Sequence, residues 1–227
     1  MIRIIFENEH FVICDKENGV LSTPSRFEER DSRICLGTSL QNQLGLQIYP
    51  IHRLDFEVSG LVMYGKNANA HRWANHLFES KVVQKTYRAL TTSQDFSHIP
   101  ENIKNSRKSF DLGSEHHFEW RAQVLRGKRR AYETPQGKTS LTLADFVGYN
   151  GKNLLRWDLQ PVTGRSHQLR FDLSRHGYPI VGDELYGSKV ALRPEAIALQ
   201  AYRIDFSKVQ GLAPWGLPDA IEIPCLY

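Results

Sequence analysis

The segment Ile51-His52-Arg53-Leu54-Asp55-Phe56-Glu57-Val58-Ser59-Gly60 sets a carboxylate two residues after a guanidinium, just ahead of the apolar run Leu61-Val62-Met63-Tyr64. A carboxylate held near cations stays ionised at neutral pH, its pKa lowered by roughly 1–3 units. An ionised, positioned carboxylate can act on a sugar as nucleophile or base. An Arg-x-Asp pair is equally an ordinary surface turn of little energetic weight, so the pair alone does not choose between chemistry and the capping of a strand.

Pro161-Val162-Thr163-Gly164-Arg165-Ser166-His167-Gln168-Leu169-Arg170 is the second distinctive segment, placed after a strand and opening a short helix. Gly164 permits a tight turn, and Ser166 is a candidate cap whose neighbouring N–H groups can meet an anion. Arg165 and Arg170 offer planar donor forks suited to phosphate or carboxylate. Either is a candidate partner for Asp55; either also fits a solvated surface. In the third segment, Gly177-Tyr178-Pro179-Ile180-Val181-Gly182-Asp183-Glu184-Leu185-Tyr186-Gly187, glycines and proline fix a turn-rich connection and Asp183 reads as structural.

The elements that must position these residues follow from periodicity. Phe11-Val12-Ile13-Cys14 followed by Gly19-Val20-Leu21 predicts strand, turn and strand, and residues 1–9 an edge strand. Arg26 to Gly37 is charged and predicts a loop. From Asn67, a candidate N-cap, Ala70, Trp73, Ala74, Leu77 and Phe78 recur at helical spacing and predict an amphipathic helix with its aromatics in the core. Lys85 to Leu90, Phe118 to Val124, Ser140 to Val147 and Asn153 to Gln160 alternate as strands. In the last of these, Leu155, Trp157 and Leu159 share the apolar face. Thr91 to Arg107 reads as a polar linker. Leu169, Leu173 and His176 mark one face of a helix that Gly177 stops. Strands outnumber helices without strict alternation, which predicts an α+β fold with a largely antiparallel sheet.

The whole chain sets outer bounds. Its 227 residues are 41% hydrophobic and 24% charged, a globular composition, and no apolar run reaches the ~20 residues of a membrane span. Three widely spaced cysteines, Cys14, Cys35 and Cys225, predict free thiols in a reducing cytoplasm rather than a disulfide framework or a Cys-based zinc site. Nine histidines show no metal-ligand spacing, and His116-His117 reads as an exposed or packing pair. Net charge is +4, which permits an acidic polymer as partner. The cations cluster: Lys104, Arg107 and Lys108, then Arg126-Gly127-Lys128-Arg129-Arg130, either a solvated loop face or a phosphate-contacting one.

Three motifs taken together resemble the signatures of the RluA-type pseudouridine synthases. They are His52-Arg53-Leu54-Asp55 with Ser59-Gly60; Lys85-Thr86-Tyr87; and Gly164-Arg165-Ser166-His167-Gln168-Leu169-Arg170 with Pro179-Ile180-x-Gly182-Asp183-x-x-Tyr186-Gly187. Order and spacing match over roughly Ile5 to Leu199. The resemblance implies a pseudouridine-synthase fold: a mixed, mainly antiparallel central sheet flanked by helices, with the catalytic cleft across its middle. It implies one catalytic domain over residues 1–227, a compact form without an S4-type domain. Asp55 is then the catalytic aspartate, Tyr87 the tyrosine that stacks on the target base, and Arg170 the basic partner of the aspartate. Arg53 is the residue that fills the gap left by a flipped nucleotide. His52, Arg165, His167 and Gln168 are the further substrate-binding candidates. The chain departs from the family at Val58, usually Thr; at Asp172, often His; and in Asp15-Lys16-Glu17-Asn18-Gly19, where Asp-Lys-Pro-x-Gly is usual. These departures bear on loop shape and substrate preference.

The implied reaction breaks the N1–C1′ bond of uridine, turns the uracil over and joins C5 to C1′. Nothing is added or oxidised, so the expectation is an enzyme needing no cofactor and no metal. A target base stacked in folded RNA must be flipped out at a cost of a few kcal/mol, and stacking on Tyr87 returns roughly 1–3 kcal/mol. Asp55 acts at C1′, by direct attack or by way of a glycal. The expected partner is RNA, a stem-loop of tRNA or of 23S-type ribosomal RNA, met by a cytoplasmic monomer with no membrane association. Two other readings use the same residues: a non-catalytic RNA-binding or RNA-folding protein on this fold, and a hydrolase in which Glu57 supplies a second carboxyl group.

Overall fold

The computed structural model describes residues 2–25, 31–113, 116–151 and 153–227. Along the chain run β1 (Arg3–Glu7), β2 (Phe11–Lys16), α1 (Leu36–Leu44), β3 (Tyr49–Pro50), β4 (Ser59–Gly65) and α2 (Ala68–Glu79). Next come β5 (Gln84–Thr92), α3 (Glu101–Lys104), β6 (His117–Arg126), β7 (Ala131–Glu133), β8 (Lys138–Asn150) and β9 (Leu154–Pro161). The last elements are α4 (Gln168–Arg175), β10 (Leu199–Asp205) and β11 (Ala220–Glu222). Strands predominate and both parallel and antiparallel pairs occur, an α+β fold on a mixed sheet. These residues form two compact units, Met1–Lys85 with Gln200–Cys225, and Thr86–Leu199 with Leu226–Tyr227.

In the first unit the strand order is β1-β2-β4-β10, with β3 on β4 and β11 on β10. β4 is buried along its whole length and β2 nearly so, as interior strands covered on both faces must be. β1 is the outer strand, as its charged ends predict. β2 and β4 are antiparallel from Phe11↔Gly65 to Lys16↔Gly60, whereas β4 and β10 are parallel at Ser59 and Gly60. Gly60 is required there: its φ is +112°, and a Cβ would lie 2.2 Å from the Ala201 carbonyl oxygen. Asn67 caps α2 as its sequence predicts, Oδ1 accepting from the Ala70 N–H at 2.9 Å. Ala70 and Ala74 are buried against Phe11, Leu61 and Met63, with Trp73, Leu77 and Phe78 packed at the margin.

The second unit is an antiparallel sheet in the order β5-β9-β8-β6-β7. Leu155, Trp157 and Leu159 are buried, as alternation in β9 predicts, and Trp157 Nε1 donates to Thr91 Oγ1 at 2.9 Å. Every residue of α4 is buried. Since a buried polar group without a partner costs free energy, the polar residues of this helix dictate contacts around them. His176 and Gly177, φ +82°, end the helix where the sequence predicts.

Three expectations change. The second strand expected at Gly19 to Leu21 does not form: the Gly19 N–H goes to the Phe56 carbonyl, and Leu21 makes only an isolated bridge to Cys35 through bonds to Ile34 and Leu36. The loop expected over Arg26 to Gly37 ends early, with α1 starting at Leu36, and its residues 26–30 lie outside the described residues. Thr91 to Arg107 is not a bare linker: Pro100 opens α3, and Ile99 and Ile103 are buried with Phe171 and Tyr186.

Candidate active site

Asp55 lies between two residues whose backbone is gripped by the segment that follows β2. Ser22 Oγ donates to the Leu54 carbonyl and accepts the Leu54 N–H, both at 3.0 Å. The Phe56 carbonyl accepts the Gly19 N–H at 3.0 Å, and the Glu57 carbonyl accepts Asn18 Nδ2. The Asp55 carbonyl closes a turn with the Val58 N–H at 3.1 Å. Beneath the loop, Lys16 is 1% exposed. Its Nζ donates to the carbonyls of Glu17 and Val20 at 2.8 Å and of Phe56 at 3.3 Å. Burial pushes this ammonium down to about 8 against the opposing pull of the Asp55 and Glu57 carboxylates. A half-buried carboxylate is thus carried on a loop whose main chain is fixed on both sides of it.

His52 and Arg53, earlier in the same segment, have opposite environments. His52 Nε2 accepts the Met63 N–H at 3.2 Å and the ring stacks on Phe78 at 5.2 Å. Burial, with the nearby Lys85 charge, pushes the imidazole down to about 3, so His52 is neutral at pH 7. Arg53 is exposed, and its guanidinium has no hydrogen bond or ion pair among the described residues.

In the second unit, Tyr87 is buried on β5 opposite Leu159. The turn from Thr163 to Gln168 is organised from inside. Gln168 is buried; its Oε1 accepts from Thr163 Oγ1 and from the Arg165 N–H, and its Nε2 donates to the Leu141 carbonyl and Thr142 Oγ1. That amide is fully committed to shaping the turn. Arg165 is tied by Nε to the Thr139 carbonyl at 3.0 Å. His167 starts α4 in the left-handed region, φ 56°, its Nδ1 3.1 Å from the Tyr186 hydroxyl. Because Tyr186 Oη accepts the Ala131 N–H at 2.7 Å, its own proton is available to His167 Nδ1.

Arg170 is 2% exposed and forms a two-pronged pair with Asp183, Nε–Oδ2 2.7 Å and Nη2–Oδ1 2.8 Å, over the Tyr186 ring. Asp183 is therefore structural, as its turn-rich setting implies. The basic cluster forms the β6–β7 hairpin: Arg126 pairs with Ala131, and Lys128 and Arg129 at the tip are exposed. Arg130 turns back to the Leu185 carbonyl.

The model of the family described as RNA pseudouridylate synthase matches residues 10–175. The chain belongs to the RNA pseudouridylate synthase family. Members of that family are isomerases. A dual-specificity RNA pseudouridine synthase RluA of Escherichia coli O157:H7 is 31% identical over 197 residues, 86% of this chain and 80% of that protein. An uncharacterised RNA pseudouridine synthase of Helicobacter pylori strain J99 is 32% identical over 82% of this chain, which spans only 58% of that relative's length. Among solved structures, human RNA Pseudouridylate Synthase Domain Containing 1 superposes with a TM-score of 0.67 at 24% identity, covering 91% of this chain and 78% of that one. That likeness extends the family's fold across both units.

The motifs of this synthase family contain only some of the supports. Tyr186 belongs to the third motif and Lys16 and Asn18 to the segment that departs from the family pattern, whereas Ser22 and Thr142 lie outside every motif and hold motif residues in place. Lys16 follows Asp15 at the charged end of the strand that begins Phe11-Val12-Ile13-Cys14, and is nonetheless buried.

Proposed function

We propose that this chain isomerises a uridine in a tRNA or large-subunit ribosomal RNA stem-loop to pseudouridine, with Asp55 acting at C1′. The observation that carries the reading is the Asp55 loop. A carboxylate whose main chain is held by hydrogen bonds at Leu54, Phe56 and Glu57 loses little backbone freedom when substrate binds, which is how positioning lowers a barrier. The N1–C1′ bond breaks, the uracil turns over, C5 bonds to C1′, and the C5 proton is replaced by one on N1, so the reaction balances with no co-reactant.

Arg53 enters the gap left by the flipped nucleotide. Its exposure and uncommitted guanidinium suit that role. Tyr87 stacks on the extruded base, Arg170 serves as the aspartate's cationic partner, and Arg165, Lys128 and Arg129 contact phosphates. Neutral His52 and the committed amide of Gln168 serve as supports. Residues 1–227 work as one catalytic domain, monomeric and cytoplasmic. Among the described residues no helix is long and apolar enough to cross a membrane. Pseudouridine mapping of total RNA from cells with and without the gene tests the reading. The expected result is loss of a discrete site in tRNA or large-subunit RNA; unchanged maps would refute it.

A further inference from the structure

A chain of hydrogen bonds with a fixed direction runs from the turn at Thr163 to a buried carboxylate under α4. The Leu141 N–H donates to Thr163 Oγ1 at 2.9 Å, so the Thr163 hydroxyl proton goes on to Gln168 Oε1 at 2.8 Å. The Arg165 N–H also meets Oε1, at 3.0 Å, and the Leu141 carbonyl meets Nε2, also at 3.0 Å. A backbone donor at one amide atom and a backbone acceptor at the other leave Gln168 one orientation. Its Nε2 donates to Thr142 Oγ1 at 2.9 Å, and the Thr142 proton must then go to Asp172 Oδ2 at 2.7 Å. Thr142 and Asp172 are fully buried, and Gln168 nearly so. Asp172 is in turn 3.4 Å from Arg175 Nε.

The relay converges on Arg165. The backbone of this residue is held at both ends by Gln168, its N–H by Oε1 and its carbonyl by the Gln168 N–H at 3.1 Å. Its Nε is held by the Thr139 carbonyl of β8, the strand that also carries Leu141 and Thr142. The two terminal nitrogens have no partner among the described residues. A guanidinium anchored at Nε with its outer edge open presents paired N–H donors in a fixed plane, the arrangement that suits a phosphate.

We infer that Thr142, Gln168 and Asp172 are positioning residues that aim Arg165 at a backbone phosphate of the RNA, an inference that rests on the pseudouridine-synthase reading. Asp172 supplies the terminal acceptor that makes the direction of the relay unique. Thr142→Val keeps the shape but stops the relay; Thr142→Ser keeps the hydroxyl.

The test measures the dissociation constant of a fluorescein-labelled RNA hairpin with a uridine loop across a salt series, for the full chain. Arg165→Gln is expected to weaken binding about tenfold and to lower the salt slope by about one. Thr142→Val is expected to reproduce both changes, and Thr142→Ser neither. In the Arg165→Gln background, Thr142→Val is expected to add nothing, since the two act through one contact. A merely structural threonine would give a loss of the same size in both backgrounds, and that result, or unaltered binding by folded Thr142→Val, overturns the relay. If Thr142→Val does not fold, Thr163→Val in the same cycle replaces it, with the same expected non-additivity. Wild-type protein that binds no RNA would instead overturn the underlying reading; wild-type binding with normal variants overturns the relay alone.

Discussion

The loop at Asp55 and the turn at Thr163–Gln168 are both irregular segments made rigid, but by different means. At Asp55 the loop's backbone carbonyls are gripped from outside, by Lys16, Asn18, Gly19 and Ser22. The central grip is a buried cation close enough to Asp55 and Glu57 to feel their charge. At Thr163–Gln168 neutral side chains pass hydrogen bonds inward, and the charge that ends them, Asp172, is three bonds from Arg165. The anion proposed for the reaction has a buried cation near it, whereas the cation proposed for RNA contact has its supporting charge kept at a distance.

Substitutions that break each support sharpen the contrast. The largest effect is expected in the second unit at Asp183→Ala, which removes both prongs of a buried ion pair with Arg170. Breaking a buried pair in this way costs about 3–5 kcal/mol, read as a lowered urea midpoint. Next is a pH effect at Asp172, whose carboxyl is pushed by burial up to about 6 from 3.8. A raised carboxyl pKa means that folding favours the protonated form. The contribution, up to about 3 kcal/mol, is present below about pH 4 and is lost as pH rises through 6. Wild type minus Asp172→Asn stability should therefore fall between pH 4 and 7; a difference independent of pH would remove Asp172 as a titrating group.

In the first unit, Lys16→Met removes the ammonium donor shared by the Glu17, Val20 and Phe56 carbonyls, leaving Phe56 with the Gly19 N–H alone, and is expected to cost about 2 kcal/mol. It should also depress turnover more than RNA affinity, because it loosens Asp55 rather than a phosphate contact. The same loss of affinity and turnover would contradict the division of labour between the two segments. Arg53→Ala is the smallest in stability, within about 0.5 kcal/mol by thermal melting, while lowering pseudouridine formation.

Much of this was legible in the sequence, and the limit has a physical cause. The helix capped by Asn67 and the alternation of Leu155, Trp157 and Leu159 are local patterns, and both are found as expected. The strand expected at Gly19–Leu21 and the linker expected at Thr91–Arg107 went otherwise because distant residues claimed them: Phe56, Ile34 and Leu36 in the first case, Phe171 and Tyr186 in the second. Asp55, Tyr87, Arg165 and Arg170 stand out because several such residues recur in one order. Lys16 and Thr142 contribute through partners tens of residues away, which periodicity does not register.

The central claim is that Asp55 performs the chemistry. Purified wild-type and Asp55→Asn proteins, incubated with an RNA carrying the site mapped in cells, should bind it with dissociation constants within about threefold of each other. Only wild type should convert the uridine to pseudouridine. An Asp55→Asn protein that forms pseudouridine at the wild-type rate would contradict the account.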